Sequence, residues 1–303
     1  MKTKLLRFTT FLFVTFLMIS CVSEEILSTE NTVLEFKIND QYLITNVKID
    51  EQTGIITKRL PEFIDFKNLN VDLKISESAS ITPDPKNIKD YSSPVTFIVK
   101  SESGLEKTYQ VKLEHMDVNK YESCTDSNAH KWFGGDNRTD APDILPFDRN
   151  IGTGQTVLLS KDLVPSRFGI HLQEGFHYDE THTPYWGEVK IKLIIRDENK
   201  KTIASTETSV SANFSGGFIS FDLQNQHLLL EAGKKYVFYW YLVDGESLGI
   251  TAGSSGDTSN GSGFCFQTGY SGYSKVRNKT TLEDLSVWYE HPWHFNMEIE
   301  GKE

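Results

Sequence analysis

The chain has little positive charge for its length. Lysine and arginine together number 31 against 42 aspartates and glutamates, which gives a formal net charge of −11 over 303 residues. A chain this acidic lacks the excess of positive charge that binding to nucleic acid or to an anionic lipid surface requires. We therefore expect no nucleic-acid partner.

The sequence also lacks a hydrophobic run long enough to cross a membrane. Its most apolar segment, FTTFLFVTFLMIS, follows Lys2, Lys4 and Arg7 and ends at Cys21. That length and charge order are typical of a secretory signal. Residues 1–20 are therefore expected to be a signal peptide. Their removal takes away three positive charges and no acids, so the charge changes from −11 to −14.

The end of this segment carries a more specific motif. Leu17-Met18-Ile19-Ser20-Cys21 resembles the bacterial lipoprotein box, in which the cysteine is lipidated and becomes the new N-terminus. Glu24 and Glu25 resemble the surface-export signal of Bacteroidetes lipoproteins. The resemblance implies a lipid anchor on Cys21, a tether over residues 21–32, and an outer-membrane, cell-surface location. The alternative is an ordinary signal peptide that contains a cysteine.

Cysteine is scarce. If Cys21 carries lipid, only Cys124 and Cys265 remain. Two thiols in an oxidising compartment are a candidate disulfide. It would close a loop of ~140 residues and stabilise the fold by up to about 4–5 kcal/mol in the chain-entropy model. The alternative is two separate buried thiols.

Helical periodicity is almost absent after the signal, and apolar residues alternate with polar ones instead. In EVKIKLII, for example, residues 189, 191, 193 and 195 are apolar, whereas Lys190 and Lys192 are expected in water. KYVFYWYLV is apolar on both faces and is expected to be a central strand covered on each side. These patterns predict an all-β fold.

The first β domain is expected over residues 33–114. Its closing segment, SPVTFIVKSESGLEKTYQVKLE, predicts a hairpin that turns at residues 101–104. The segment from Ile81 to Glu114, and above all Asp90-Tyr91-Ser92-Ser93-Pro94-Val95, resembles a family of Ig-like sandwich domains common in Bacteroidetes surface lipoproteins. The resemblance implies an Ig-like β-sandwich spacer, and no cluster of acids, histidines or nucleophiles in it indicates catalysis.

Between residues 115 and 151 the pattern fades, and GGDNRTDAPD predicts a linker or an irregular lead-in. Eight short strand-like runs follow over residues 152–303 and predict an antiparallel jelly-roll sandwich. Gly154-Gln155-Thr156, the segment LEAGKKY (230–236) and the final strand from Phe295 to Gly301 resemble an accessory module of lipoproteins and glycan enzymes. Modules of this kind are carbohydrate-binding-like, which implies a polysaccharide or glycan ligand.

Two aromatic stretches in that second domain are expected to be loops, and their residues suit sugar binding. GFHYDETHTPYWG (175–187) and VWYEHPWHF (287–295) combine flat rings, which stack on sugar C–H surfaces, with polar side chains that bind hydroxyls. Rings next to a strand can instead close the end of a sandwich core. The predicted carbohydrate-binding residues are His177, Tyr178, His182, Tyr185, Trp186, Trp288, Tyr289, His291 and Trp293.

Metal sites compete only weakly with this interpretation. His177, Asp179 and His182 would offer zinc three ligands without a fourth, so no metal site is predicted. SGDTSNGSG (255–263) contains Asp257 and Asn260 and could hold a structural calcium ion, but a single carboxylate is few for a calcium site. No cofactor is expected apart from that calcium alternative.

Catalysis is not predicted either. Asp179 and Glu290 could serve as the two carboxylates of a glycosidase, but no feature of the sequence distinguishes them from the other acidic residues. The sequence also contains no Gly-x-Ser-x-Gly motif and no phosphate-binding loop. The sequence thus favours a lipid-anchored surface protein that binds carbohydrate without cleaving it. The alternatives are a structural or protein-docking lipoprotein, with an outer-membrane protein as partner, and a glycan-active enzyme.

Overall fold

The computed structural model describes residues 26–125, 130–136, 150–172, 177–178, 184–185, 188–212, 214–244, 247–252, 269–273, 288–291 and 295–303. Regular structure in these residues is β-sheet, with three short 3₁₀ turns at Phe66–Asn68, Pro85–Asn87 and Gln224–Gln226. The predicted all-β fold is confirmed. None of the helical turns in the described ranges has the length and apolar character needed to span a membrane.

The first part of the chain forms a sandwich of two sheets. One sheet has the strand order β2-β1-β5 and the other β3-β4-β8-β7-β6. All pairs are antiparallel except β4 with β8. The strands are β1 (Val33–Asn39), β2 (Ile44–Asn46), β3 (Ile49–Asp50), β4 (Ile55–Leu60), β5 (Val71–Ile75), β6 (Ser80–Thr82), β7 (Val95–Lys100) and β8 (Glu106–His115).

The core of this first sandwich follows the alternation in its strands. In the predicted hairpin, β7 pairs with β8, and Phe97, Val99, Tyr109 and Val111 are buried between the sheets. The ring of Tyr91 packs edge-on against Phe36 with 6.1 Å between centroids. The apolar half of each strand therefore forms one continuous layer.

The second part of the chain forms a larger sandwich. Among the described residues, the strand order is β16-β15-β18-β11-β20-β21 in the sheet we call the front sheet, and β10-β19-β12-β22-β9, with β17 also on β12, in the back sheet. Its strands are β9 (Asn119–Cys124), β10 (His130–Asp136), β11 (Asn150–Leu158), β12 (Val164–Leu172), β13 (His177–Tyr178), β14 (Pro184–Tyr185), β15 (Val189–Arg196), β16 (Thr202–Val210), β17 (Gly217–Asp222), β18 (Lys235–Asp244), β19 (Ser247–Ala252), β20 (Gly269–Tyr273), β21 (Trp288–His291) and β22 (Met297–Lys302).

The front and back sheets pack through aromatic rings. Phe168 of β12 lies 4.8 Å from Phe238 and 5.9 Å from Trp240 of β18, measured between ring centroids. Phe295, directly before β22, packs edge-on against Trp240 at 5.3 Å. As predicted, β18 is a central strand, flanked by β15 and β11.

The segment expected to be a linker or lead-in contains strands. Residues 119–124 pair with β22, and residues 130–136 pair with β19, so both belong to the back sheet. Neither strand shows a clear apolar alternation: the sequence of β9 is NKYESC and that of β10 is HKWFGGD. The pairing of β9 with β22, which begins more than 170 residues later in the chain, cannot be predicted from the sequence of β9 alone.

The two sandwiches contact each other at a polar and aromatic junction. The Tyr42 ring stacks on His227 at 4.2 Å, and Phe63 meets His227 edge-on at 5.1 Å. Lys58 Nζ lies 3.6 Å from a carboxylate oxygen of Asp162. The junction therefore combines ring stacking with an ion pair rather than extending either hydrophobic core.

Candidate functional site

The first aromatic stretch forms a small hairpin. Its strands β13 and β14 pair with each other, and the register sets His177 opposite Tyr185 and Tyr178 opposite Pro184. β13 lies next to β19, a strand of the back sheet. His182 and Trp186, also predicted to bind carbohydrate, lie outside the described residues.

The second aromatic stretch forms a strand at the edge of the front sheet. β21 pairs with β20, and the register sets Trp288 opposite Gly272, Tyr289 opposite Ser271 and His291 opposite Gly269. Trp293 lies outside the described residues. Both stretches were interpreted from the sequence as loops, and in both the structure has strands, which aromatic residues favour.

The two aromatic stretches belong to different sheets. The hairpin borders the back sheet, whereas β21 ends the front sheet. The structure therefore does not combine the predicted residues into one sheet surface. It does separate the residues of β21 into two groups, because neighbouring residues of a strand alternate between the two faces of its sheet.

The register across β18, β11, β20 and β21 defines the face of the front sheet that is turned away from the core, which we call the outer face. One row across it runs Tyr241, Gly152, Gly272 and Trp288. The next row runs Tyr239, Gly154, Tyr270 and Glu290. Trp288 thus shares a face with two tyrosines of β18, whereas Tyr289 and His291 occupy register positions of the core face.

Three residues of the outer face were missed by the sequence analysis: Tyr239, Tyr241 and Tyr270. The first two lie in KYVFYWYLV, where alternation already separates Tyr239 and Tyr241 from the core residues Phe238 and Trp240. Their relation to Trp288 depends on the order of four strands, which alternation does not specify.

The rings of β18 rest on a glycine strand. A Cβ added to Gly154 would lie 2.5 Å from Cβ of Tyr239 and 2.8 Å from the carbonyl oxygen of Phe238. Only glycine permits this close approach. With Gly152 in the adjacent row, β11 forms a shallow strip between the aromatic residues of β18 and those of β20 and β21.

The outer face contains a second small hydrophobic cluster. Ile194 of β15, Tyr239 and Tyr241 are buried there, with exposed fractions of 1%, 0% and 5%. The two tyrosine rings stack at 6.1 Å between centroids. The guanidinium of Arg196 lies 5.5 Å from the centroid of Tyr239, a cation–π geometry.

Cys124 is buried against the core and is disulfide-bonded. Both other cysteines of the chain, Cys21 and Cys265, lie outside the described residues. The pairing of Cys124 with Cys265 therefore stays a prediction, and so does lipidation of Cys21.

Within the described ranges, no group of three histidine, cysteine, aspartate or glutamate side chains could hold a metal ion. The segments considered for zinc and calcium, around residues 179–182 and 255–263, lie outside those ranges. No metal or cofactor enters the chemistry of the site as described.

Comparison with protein families identifies the first sandwich. Residues 33–113 match the family model described as "SGBP, N-terminal". This match confirms the resemblance of residues 33–114 to a Bacteroidetes surface-protein domain and covers the first sandwich except for the last two residues of β8. No curated protein matches the chain.

Solved structures give distant likenesses. A candidate secreted protein from Bacteroides fragilis is 16% identical, covers 28% of this chain and 95% of its own, and has a TM-score of 0.21. A candidate glycoside hydrolase from Bacteroides thetaiotaomicron is 9% identical, covers 75% and 96%, and has a TM-score of 0.29. A carbohydrate-binding module of the β-sandwich superfamily is 8% identical, covers 74% and 85%, and has a TM-score of 0.18. These scores are too low to support an inference about function.

Proposed function

We propose that this chain is a surface glycan-binding protein of the Bacteroidetes type that binds a polysaccharide at the β20–β21 edge of its front sheet, without cleaving it. The family match of residues 33–113 supports a surface glycan-binding role, because the family name denotes such proteins. The first sandwich then acts as a spacer, and the second as the binding module.

The observation that carries the proposal is the register of the front sheet. It places Tyr270 of β20 and Trp288 of β21 at positions of the same face, at the edge of the sheet, whereas Tyr239 and Tyr241 of β18 are buried. Aromatic residues on neighbouring edge strands suit stacking on a sugar chain.

The test uses residues 22–303 in native gels that contain a panel of plant, host and microbial polysaccharides. We expect one glycan to retard the chain, and the Tyr270→Ala, Trp288→Ala double variant to lose about tenfold or more in affinity, as for other aromatic hot spots. Tyr121→Ala is the control, because Tyr121 is a 55% exposed tyrosine on the back sheet. A double variant that binds as tightly as the unchanged chain would contradict the proposed site.

Binding without catalysis is tested on the same glycan. Prolonged incubation with the chain should release no new reducing ends, because the proposed site consists of stacking rings and has no assigned acid–base pair. Release of oligosaccharides that Glu290→Gln abolishes would support an enzyme instead.

The proposed location depends on Cys21. We expect cells that express the full chain to incorporate labelled fatty acid into it, and a Cys21→Ser variant to incorporate none. An intact, equally exported but unlabelled wild-type chain would overturn the anchor and leave an ordinary signal peptide.

A further inference from the structure

A groove of about 390 Å³ lies at the junction of the two sandwiches, and we call it the junction groove. The first sandwich contributes Tyr42 and Leu43, from the turn between β1 and β2. The second contributes the turn between β15 and β16 and the segment around His227. Ligand pockets have volumes of about 300–1,000 Å³ and occur preferentially between domains. The junction groove therefore has the size and the position of a ligand site.

Tyr42 presents an aromatic ring to the junction groove. Its exposed fraction is 48%, although one face of the ring stacks on His227 with an angle of 12° between the two planes. Phe63 meets the same ring edge-on, with 5.9 Å between centroids. The Tyr42 amide donates to Oδ1 of Asp40 at 2.9 Å, which fixes the turn that carries the ring. The ring is thus held in place without a ligand, and this lowers the entropy cost of stacking on it.

The turn between β15 and β16 supplies polar side chains to the junction groove. The Asp197 carboxylate accepts from the amides of Asn199 and Lys201, both at 2.9 Å, and so holds the turn closed. The Asp197 amide donates to the Lys201 carbonyl oxygen at 3.0 Å. Glu198, Asn199 and Lys201 are exposed and line the groove. Their carboxylate, amide and ammonium groups can accept from and donate to hydroxyl groups.

The charges along the junction groove balance each other. Among the described residues that line it are three carboxylates and three ammonium groups, from Asp197, Glu198, Glu231, Lys201, Lys234 and Lys235. Lys234 forms an ion pair with Glu231. This local balance contrasts with the net charge of −11 of the whole chain. A lining with donors and acceptors but no net charge suits an uncharged, hydroxyl-rich ligand better than an ion.

The junction groove is separate from the site proposed at the β20–β21 edge. It is lined by residues at the turn between β15 and β16 and at the start of β18, whereas Tyr270 and Trp288 lie on β20 and β21. In the described strand order of the front sheet, β16 and β21 are the two ends, five strand spacings apart. At about 4.8 Å per spacing the separation is ~24 Å, which is too large for a single pocket.

We propose that the junction groove is a second binding site for uncharged polysaccharide, with a sugar ring stacked on Tyr42 and its hydroxyls bound by Asn199 and Lys201. The inference rests on the proposed function, because it assigns a second site to the same class of ligand. Stacking on a tyrosine uses the apolar C–H face of a sugar, and the polar side chains of the turn bind its edge. The first sandwich is then part of a binding site as well as a spacer.

The test titrates residues 22–303 with cello-, xylo-, manno- and maltohexaose in a calorimeter. We expect at least one of these uncharged hexasaccharides to bind at two sites per chain. Tyr42→Ala should weaken one site by about tenfold or more, as loss of an aromatic anchor does elsewhere, and leave the other unchanged. The affinity should change by less than about twofold between about 50 and about 300 mM sodium chloride, because an uncharged ligand has no charge for salt to screen.

Further variants separate ligand contact from a loosened junction, because Tyr42→Ala also removes the stack on His227. Tyr42→Phe keeps the ring and should bind as the unchanged chain does. Asn199→Ala leaves the junction rings in place and should weaken the same site by about threefold, through loss of one hydrogen bond. Tyr121→Ala removes a 55% exposed tyrosine of the back sheet and should change neither site. If circular dichroism shows that Tyr42→Ala does not fold, Asn199→Ala carries the test.

The outcomes distinguish this inference from the function on which it rests. Binding that folded Tyr42→Ala and Asn199→Ala both leave unchanged would overturn the junction groove and leave glycan binding intact. A single site that Tyr42→Ala abolishes would support the groove and contradict the site at the β20–β21 edge. If no hexasaccharide binds, the groove is overturned, and retardation in the polysaccharide gels decides the proposed function separately.

Discussion

The two sandwiches differ in how their surfaces away from the core are built. In the first, outward charges are paired across strands, as in Lys100 with Glu106 at 3.4 Å and Arg59 with Glu114 at 3.8 Å. In the second, the outer face of the front sheet buries Tyr239 and Tyr241 beside Arg196, which has no carboxylate partner among the described residues.

This difference separates a sandwich with one buried apolar layer from a sandwich whose front sheet buries residues on both of its faces. A two-sheet sandwich needs only its inner layer to be stable, and the first sandwich has that single layer. The second has an equivalent layer around Phe168, Phe238 and Trp240. Its additional cluster of Ile194, Tyr239 and Tyr241 is buried on the opposite face of the front sheet.

The largest effect is expected from substitutions that destabilise one sandwich at a time. Phe97→Ala in the first core and Phe168→Ala in the second should each lower the free energy of unfolding of their own sandwich by about 3–5 kcal/mol, because both rings are fully buried. Urea denaturation measures the loss. Glycan retention should survive Phe97→Ala and fail first in Phe168→Ala; the reverse order would contradict the division of roles.

The disulfide is expected to stabilise only the second sandwich. Cys124 is buried and bonded in that core, so reduction should cost about 2–4 kcal/mol there, the usual range for a native disulfide. Calorimetry with and without reductant measures this. We expect no reactive thiol in unreduced, unfolded residues 22–303, and one or more would refute pairing with Cys265.

The glycine strip gives a smaller effect. Gly154→Ala should cost about 1–3 kcal/mol, because the new methyl group would collide with the Phe238 carbonyl and the Tyr239 Cβ. The matched control is Gly169→Ala on the back sheet, where the new group would meet the side chain of Glu298 instead. Thermal melts of the two variants measure both losses of stability. Equal losses would argue against a special need for glycine at residue 154.

The smallest effects concern two buried tyrosines of the first sandwich. Tyr109 donates its hydroxyl proton to Glu51 at 2.7 Å and accepts from the Val33 amide at 3.1 Å. The Tyr91 hydroxyl has no hydrogen-bond partner among the described residues, and burial raises its pKa to about 12. Tyr109→Phe should therefore lose about 1–2 kcal/mol, and Tyr91→Phe should gain up to about 1 kcal/mol. Chemical denaturation of both variants provides the check, and stabilisation by Tyr109→Phe would contradict it.

Much of the fold was predictable because strand alternation is a local property. EVKIKLII became β15 with Val189, Ile191, Leu193 and Ile195 buried, and the hairpin of β7 and β8 formed where its turn was expected. In the last strand, alternation puts Glu298 on the face opposite to that of Met297 and Ile299, yet Glu298 is buried as well. Its contact with Arg167 explains the difference, and such a pair across strands cannot be read from either segment alone.

The candidate site was only partly predictable. Trp288 was selected because it lies in an aromatic stretch, and the structure keeps it as a member of the outer face. Tyr289 and His291 were selected for the same reason and occupy register positions of the core face. Composition identified the stretch, whereas the assignment of individual residues required the register, because a shift of one residue exchanges the two faces.

The sequence by itself determined the strand segments, their apolar faces and the signal-like N-terminus, since each depends on neighbouring residues. Tertiary structure alone decided that β18, β11, β20 and β21 lie side by side, although 129 residues separate the end of β11 from the start of β21. Strand order is set by the combined packing of two sheets and not by any one segment. That order brought Tyr241 and Trp288 into one row.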